Sequence, residues 1–271
     1  MTVSYPRPRK ALGQNFLTDG NIVAKILRAA DIGPGDNVLE VGPGRGALTE
    51  LLARKAGRVT AIEFDRDLAE ILRQRFRDTP AVTIHEQDVL KVDFASLLGN
   101  ERWKVVANLP YNISTPVLFR FLEERHCFSR LVLMLQKEVG ERLAAPPDCG
   151  DYGIVTVLLG LWFEIRREFP VPPGCFYPVP RVDSVVVSLV PRPQPLAPVP
   201  DQQLFERVVR AAFAQRRKTL HNCLKAAGLA DPATLARALE HCGIDGRRRG
   251  ETLTIAEFAA LATGLAAPAA P

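Results

Sequence analysis

Residues 38–52 read VLEVGPGRGALTELL. An aliphatic run enters a loop with glycine at alternate positions, and leucines at helical spacing leave it. The chain must turn sharply out of a strand and into a helix N-terminus, and glycine lets a ligand lie close against such a turn. Strand, loop and helix in this order open a βαβ unit. Alone, the loop also fits a tight structural turn with no ligand.

The first two thirds of the chain repeat that alternation. RVTAIEF, AVTIHEQD, WKVVANLP and RLVLMLQ are short β-rich runs, and ALTELLARKA and RDLAEILRQRF carry apolar residues at helical spacing. Strands alternating with helices predict a mostly parallel sheet. LWFEIRREF and SVVVSLVP are joined by a Pro/Gly-rich loop without room for a crossover helix, which predicts an antiparallel pair at one edge. PRPQPLAPVP then reads as a stiff, extended linker over 191–200. From Asp201 the pattern is helical, in DQQLFERVVRAAFAQRRKTLHNCLKAAG, DPATLARALEHCG and TIAEFAALATGLA. The expectation is an α/β domain over 1–190, the linker, and a small all-α domain over 201–271. No internal repeat is evident. With 271 residues, 47% of them hydrophobic, the chain can bury a sizeable core without staples.

Five scattered cysteines form no CxxC, and the four histidines show no metal-ligand spacing, so neither a disulfide framework nor a metal site is expected. A reducing cytosol suits them. MTVSYPRPRK is basic but no apolar stretch follows it, so no secretory signal is visible. IVTVLLGLWF, the longest apolar run, falls far short of the roughly 20 residues of a transmembrane helix. A formal charge of +5 permits a nucleic-acid partner without demanding one.

Strand ends concentrate the polar residues. Gly42 follows the first β-rich run, Glu63 ends the second, Asp88 lies just beyond the third, and Asn108 ends the fourth. Ligands of doubly wound sheets bind outside the carboxyl ends of strands. A carboxylate at Glu63 can accept from both hydroxyls of an adenosine ribose, and Asp88 can accept from an adenine amine. A nicotinamide cofactor fits the loop nearly as well as S-adenosylmethionine. The G-x-G-x-G spacing, lacking the final glycine of the dinucleotide pattern, together with Asp88, favours S-adenosylmethionine.

LGQNFL (12–17), LEVGPGRGALT (39–49), IEFD, QDVL, NLPYNIST (108–115), FYPVPRVDSVVV (176–187) and RRKTLHNCLK (216–225) occur in order over nearly the whole chain. This set closely resembles the KsgA-type small-subunit ribosomal RNA adenine dimethyltransferases. The resemblance implies a class I S-adenosylmethionine-dependent methyltransferase fold with a helical C-terminal domain. It implies dimethylation of N6 on two adjacent adenosines in a hairpin near the 3′ end of small-subunit (16S) rRNA, in an immature 30S particle. A cytoplasmic monomer is expected, with no metal and no membrane partner. By the same resemblance Asn15 and Leu17 close over the cofactor, Gly42 lines its methionine and ribose, Glu63 holds the ribose hydroxyls, Asp88 binds the adenine amine, and Asn108 lies between cofactor and target base. Val179 and Arg181 stand where family members often carry proline and lysine.

Within NLPY, the Asn108 side-chain oxygen and the Leu109 carbonyl are expected to accept from N6, Pro110 to stiffen the turn, and Tyr111 to stack on the flipped base. Phe176 is expected to cover the opposite face. Arg216, Arg217 and Lys218 are expected near the middle of a helix. With Arg247, Arg248 and Arg249 they are candidates for RNA phosphates, against the plainer reading of a solvated face. A large-subunit rRNA adenine methyltransferase shares the glycine loop and an Asn-x-Pro-Tyr motif, but RRKTLHNCLK and PRVDSVVV favour the small-subunit family. A DNA adenine methyltransferase would need a target-recognition domain that is not visible. A ribosome-assembly or transcription factor that has lost the chemistry would not need the intact polar set.

Overall fold

The computed structural model describes residues 5–266, so the ends of the expected first and last domains lie outside the described residues. The strands are β1 (Phe16–Leu17), β2 (Asn37–Val41), β3 (Arg58–Glu63), β4 (Val82–Glu86), β5 (Trp103–Asn108), β6 (Phe128–Gln136), β7 (Phe163–Val171), β8 (Phe176–Tyr177) and β9 (Ser184–Pro191). The helices are α1 (Gly20–Ala30), α2 (Ala47–Lys55), α3 (Arg66–Arg75), α4 (Phe94–Leu98), α5 (Ser114–Glu123), α6 (Lys137–Leu143), α7 (Ile154–Trp162), α8 (Gln202–Phe213), α9 (Leu220–Ala226), α10 (Pro232–His241) and α11 (Ile255–Ala266).

Seven strands form one sheet in the order β4-β3-β2-β5-β6-β9-β7. Pairs β4–β3, β3–β2, β2–β5 and β5–β6 are parallel, and β9 runs antiparallel to β6. The expected mixed sheet is therefore present, with β9 and β7 at one side. Parallel strands covered on both faces read as continuous apolar runs, and Val38, Leu39, Val105, Val106, Val132 and Leu133 are all fully buried. Helix α1 shows how the covering layer is specified. The Asp19 side chain caps its first turn by accepting from the Asn21 and Ile22 amides, and Ile22, Val23, Ile26, Leu27 and Ala30 form its buried stripe. These residues join Leu48 and Leu52 of α2 and Val38 of β2 in one core. Truncating such a side chain, as in Leu52→Ala, costs about 2–5 kcal/mol. The strand order reverses between β2 and β5, which makes their carboxyl ends the switch point of the sheet.

Two compact units are present, and their boundary departs from the expected one. The first ends at Gly140 and resumes over Ile165–Pro191; the second comprises Glu141–Glu164 and the chain from Arg192 onward. The physical reason is α7, whose apolar run buries Val157, Leu158, Leu159 and Leu161 in the helical unit. The proline-rich stretch is not a free spacer either. Arg192 N donates to Trp162 O at 2.7 Å and Leu196 N to Leu161 O at 2.8 Å, which pins it to the end of α7.

A second correction concerns the basic motif. Arg216–Lys218 lie in an exposed turn between α8 and α9, not inside a helix. Lys218 N donates to Gln215 O at 2.9 Å, and Thr219 caps α9 by accepting from Asn222 N. The Leu220 and His221 amides donate to the Arg248 and Gly246 carbonyls at 2.7 and 3.0 Å. Satisfied from outside, these amides need no preceding helical turn. Among the described residues no helix is long and apolar enough to cross a membrane.

Candidate active site

The glycine loop leaves β2 at the switch point. Gly42 adopts φ 68°, Gly44 φ 58° and Gly46 φ 81°, all in the left-handed region that glycine tolerates. Gly44 is also required sterically, since a Cβ there would lie 2.9 Å from the Phe16 ring. Glu63, at the end of β3, is almost completely buried. Its two oxygens accept from Gly44 N and Asp65 N at 2.9 Å each, leaving further lone pairs for a ligand. Burial raises its pKa, with the two amide hydrogen bonds pulling the other way. Asp88 follows β4 by two residues, and one of its oxygens accepts from Leu90 N at 3.0 Å.

All of the expected cofactor residues, Asn15, Leu17, Gly42, Glu63, Asp88 and Asn108, line one cavity. Phe64, Val89 and Leu90 add apolar walls to it. Phe64 is 61% exposed beside Glu63 and offers the cavity a planar apolar surface. Carboxylates for hydroxyls and an amine, an aromatic wall and a glycine turn are the groups that S-adenosylmethionine requires. The strap before α1 closes one side. Arg9 bonds Asp65 at 2.9 Å and Asp67 at 2.6 Å, and Gln14 donates to Asp65 at 2.9 Å.

Asn108 donates its amide to the Asn15 carbonyl at 3.0 Å, while Oδ1 takes no hydrogen bond from the described residues. Leu109 is buried, with its N–H donated to Met134 O at 3.2 Å. Pro110 turns the chain, its carbonyl accepting from Ile113 N at 3.2 Å and Ser114 Oγ at 3.0 Å. Tyr111 lines the same cavity, and its hydroxyl shares a 2.6 Å hydrogen bond with Ser184 Oγ, at the start of β9. Burial raises the phenol's pKa, so it stays neutral. Ser184 thus anchors the tyrosine from the PRVDSVVV motif.

Phe176 departs from expectation. It is 3% exposed, belongs to the core with Leu17 and Val23, and does not line the cavity. In the antiparallel β1–β8 ribbon Leu17 faces Phe176 and Phe16 faces Tyr177. Successive residues of a strand point to opposite faces, so burying Phe176 turns Tyr177 outward at 53% exposure. The two-sided aromatic sandwich is not assembled here.

The basic candidates separate in the helical unit. Arg217 and Lys218 side chains make no hydrogen bond or ion pair with the described residues. Arg216 reaches only the Gly150 carbonyl, at 3.4 Å, and Arg247 is exposed and paired with Asp245 at 2.9 Å. Arg248 is different. Its guanidinium bonds both oxygens of Thr252 and the Glu257 carboxylate, and the Glu257 bond raises the pKa of Arg248 and lowers that of Glu257. Those donors staple the turn to α11, so the Arg248 guanidinium, expected at a phosphate, is already engaged within the protein. Elsewhere, Glu124, His126 and Cys127 bring possible ligand atoms within 4.8 Å of one another, but Arg120 lies 3.7 Å from that glutamate.

The family model described as Ribosomal RNA adenine dimethylase matches residues 6–266. The chain belongs to that family. It is 57% identical over 265 residues to Ribosomal RNA small subunit methyltransferase A of Geobacter metallireducens, covering 96% of each chain. Among solved structures, a dimethyladenosine transferase from Plasmodium falciparum superposes with a TM-score of 0.79 at 28% identity, over 91% of this chain and 95% of the other. The 23S rRNA methyltransferase ErmE gives 0.71 at 28% identity, over 93% and 99%. The protein is a methyltransferase of class I fold that uses S-adenosylmethionine.

Proposed function

We propose that the protein transfers methyl groups from S-adenosylmethionine to N6 of two adjacent adenosines, in a hairpin near the 3′ end of small-subunit rRNA. It does so as a cytosolic monomer on an immature 30S particle. The observation that carries the reading is a single cavity holding two sets of groups. Glu63, Asp88 and Phe64 suit an adenosine-bearing cofactor, and Asn108, Leu109 and Tyr111 suit a second adenine.

When bound, S-adenosylmethionine supplies an electrophilic methyl group on a sulfonium. Adenine N6 is a poor nucleophile because its lone pair is delocalised into the ring. Asn108 is held by Asn15 through its nitrogen, so its oxygen is the end free to accept an N6 hydrogen. The Leu109 carbonyl, carried by the turn that Pro110 stiffens, accepts the other. Together they pyramidalise N6 and stabilise the positive charge that grows on it as its lone pair takes the methyl group and the S–C bond breaks. The methylated nitrogen then gives up one proton to water. Positioning, rather than a strong base, lowers the barrier. Stacking on Tyr111 offsets the cost of unstacking the base, with aromatic contacts worth roughly 1–3 kcal/mol per base. Phe176, buried in the core, takes no part in the stack. Arg216, Arg217, Lys218 and Arg247 serve phosphates without reading sequence.

The decisive experiment supplies labelled S-adenosylmethionine and purified, unmethylated small subunits, with large-subunit RNA as the parallel substrate. Digested small-subunit RNA should yield labelled N6,N6-dimethyladenosine. Label confined to large-subunit RNA, or to monomethyladenosine, would overturn the reading.

A further inference from the structure

Arg45 occupies the variable position of the glycine loop, between Gly44 and the helix-capping Gly46, and lines the cavity. Its guanidinium carbon lies 4.6 Å from the Phe16 ring centroid, 5.2 Å from Tyr5 and 5.4 Å from Tyr177. Three aromatic rings therefore hold one cation. Its side chain makes no hydrogen bond or ion pair with the described residues, and Nε is buried without a partner. That contrasts with the arginines around it. Arg9 is paired with Asp65 and Asp67, and Arg75 with Glu50 at 2.6 Å, which also engages Arg54. Of the two carboxylates lining the cavity, Glu63 accepts from the Gly44 and Asp65 amides and Asp88 from the Leu90 amide.

Aromatic rings attract a guanidinium but give it no strong acceptor. An arginine fixed in this way keeps its N–H fork available and positioned, the arrangement that suits bidentate capture of an oxyanion. The Arg45 backbone is itself held, its carbonyl accepting from the Tyr5 hydroxyl at 3.2 Å and Arg75 Nη1 at 3.0 Å. Among the described residues no carboxylate is paired with the Arg45 side chain. Tyr177, half exposed, places part of the cage at the surface.

We propose that Arg45 is an oxyanion-binding residue of the active site, held ready by its aromatic cage. The inference rests on the methyltransferase reading above. Two reactants carry a suitable group: a backbone phosphate beside the target adenosine, and the carboxylate of the cofactor's methionine portion.

Arg45→Gln removes the charge and the fork while keeping a polar side chain, and Arg45→Lys keeps the charge alone. Binding to unmethylated small subunits is measured across salt concentrations, and binding of S-adenosylhomocysteine and of 5′-methylthioadenosine, which lacks the carboxylate, by calorimetry. If a phosphate is the ligand, Arg45→Gln weakens subunit binding about 10-fold. The slope of log K against log salt becomes shallower by about 0.7–0.9, Arg45→Lys restores the slope, and both small ligands bind as before. If the carboxylate is the ligand, S-adenosylhomocysteine affinity falls by a similar factor while methylthioadenosine and subunit binding hold. Unchanged values throughout overturn the proposal. So does a parallel loss of all three with a lowered melting temperature, which would make Arg45 only a pin between strap and loop. Wild-type protein that methylates no small subunits refutes the parent reading instead.

Discussion

Asn108 lines the cavity with its donor end committed to Asn15 and its acceptor end taking no hydrogen bond from the described residues. Asn108→Ala should lower methyl transfer on the order of 10²-fold, the usual size for one preorganised group at a reacting centre. Cofactor affinity, by calorimetry, should fall far less, and turnover near wild type would remove Asn108 from the chemistry. The aromatic pair gives a sharper contrast. Tyr111→Leu should cut transfer by 10-fold or so and accumulate monomethyladenosine, because the monomethylated N6 has one hydrogen left to anchor it and depends more on stacking. Phe176→Leu should lower the melting temperature, a core swap costing up to about 1.5 kcal/mol, while the product ratio stays wild type. Mass spectrometry of digested rRNA decides. Monomethyladenosine from the Phe176 variant at unchanged stability would restore the two-sided sandwich. The polar rim was legible because Gly42, Glu63, Asp88 and Asn108 each follow or end a run with strand character. Ser184 was not, since its bond to Tyr111 spans 73 residues and leaves no local pattern. Nor was the facing of Phe176, which depends on the register of a two-residue strand.

At the scale of elements, sequence periodicity named the seven strands of the main sheet with α2 and α3, but left α1, α5 and α7 unnamed and missed the interruption within the basic motif. The leucines and valines of 202–228 continue a helical spacing, but α9 is started afresh by the Thr219 cap and by carbonyls from the 246–248 turn. A long-range contact overrode the local pattern. This changes what the arginines can do: an exposed turn presents Arg216, Arg217 and Lys218 together, whereas a helix would fan them around its axis. Arg216→Ala with Arg217→Ala should weaken binding to small subunits and reduce the salt slope by about 1.4–1.8, two phosphate contacts' worth. Melting should be unaffected. Arg248→Ala should behave in the opposite way, losing on the order of 1 kcal/mol of stability after allowance for solvent around the half-exposed pair, with the salt slope intact. An unaltered slope in the double variant would return these arginines to the solvated-face reading.

For the whole molecule, the mostly parallel sheet follows from βαβ alternation, but its strand order and two further features of the assembled fold do not. One is the recruitment of residues 141–164 to the helical unit, because an apolar run says that it will be buried and not against what. The other is Glu40, which interrupts the apolar strand β2 and is 1% exposed, with Oε2 lacking a hydrogen-bond partner. Burial, reinforced by the nearby Glu63 carboxylate, pushes its pKa from 4.5 up to about 8. The sign of the consequence is fixed by linkage. Below pH 4.5 folded and unfolded states both hold the proton; between 4.5 and 8 only the folded state holds it, so stability falls as pH rises; above 8 the loss is complete. A shift of that size corresponds to something on the order of 5 kcal/mol. Glu40→Gln keeps the shape without the ionisation, with Thr49 still beside it as a hydrogen-bonding neighbour. Denaturant unfolding at pH 5, 7 and 9 should show the variant's advantage growing with pH and levelling off above 8. The raised pKa of Glu63 acts with the same sign in both proteins and largely cancels in their difference. Parallel stability curves for wild type and Glu40→Gln would mean that the buried carboxyl ionises at its ordinary pKa, through a hydrogen bond or water that compensates its burial.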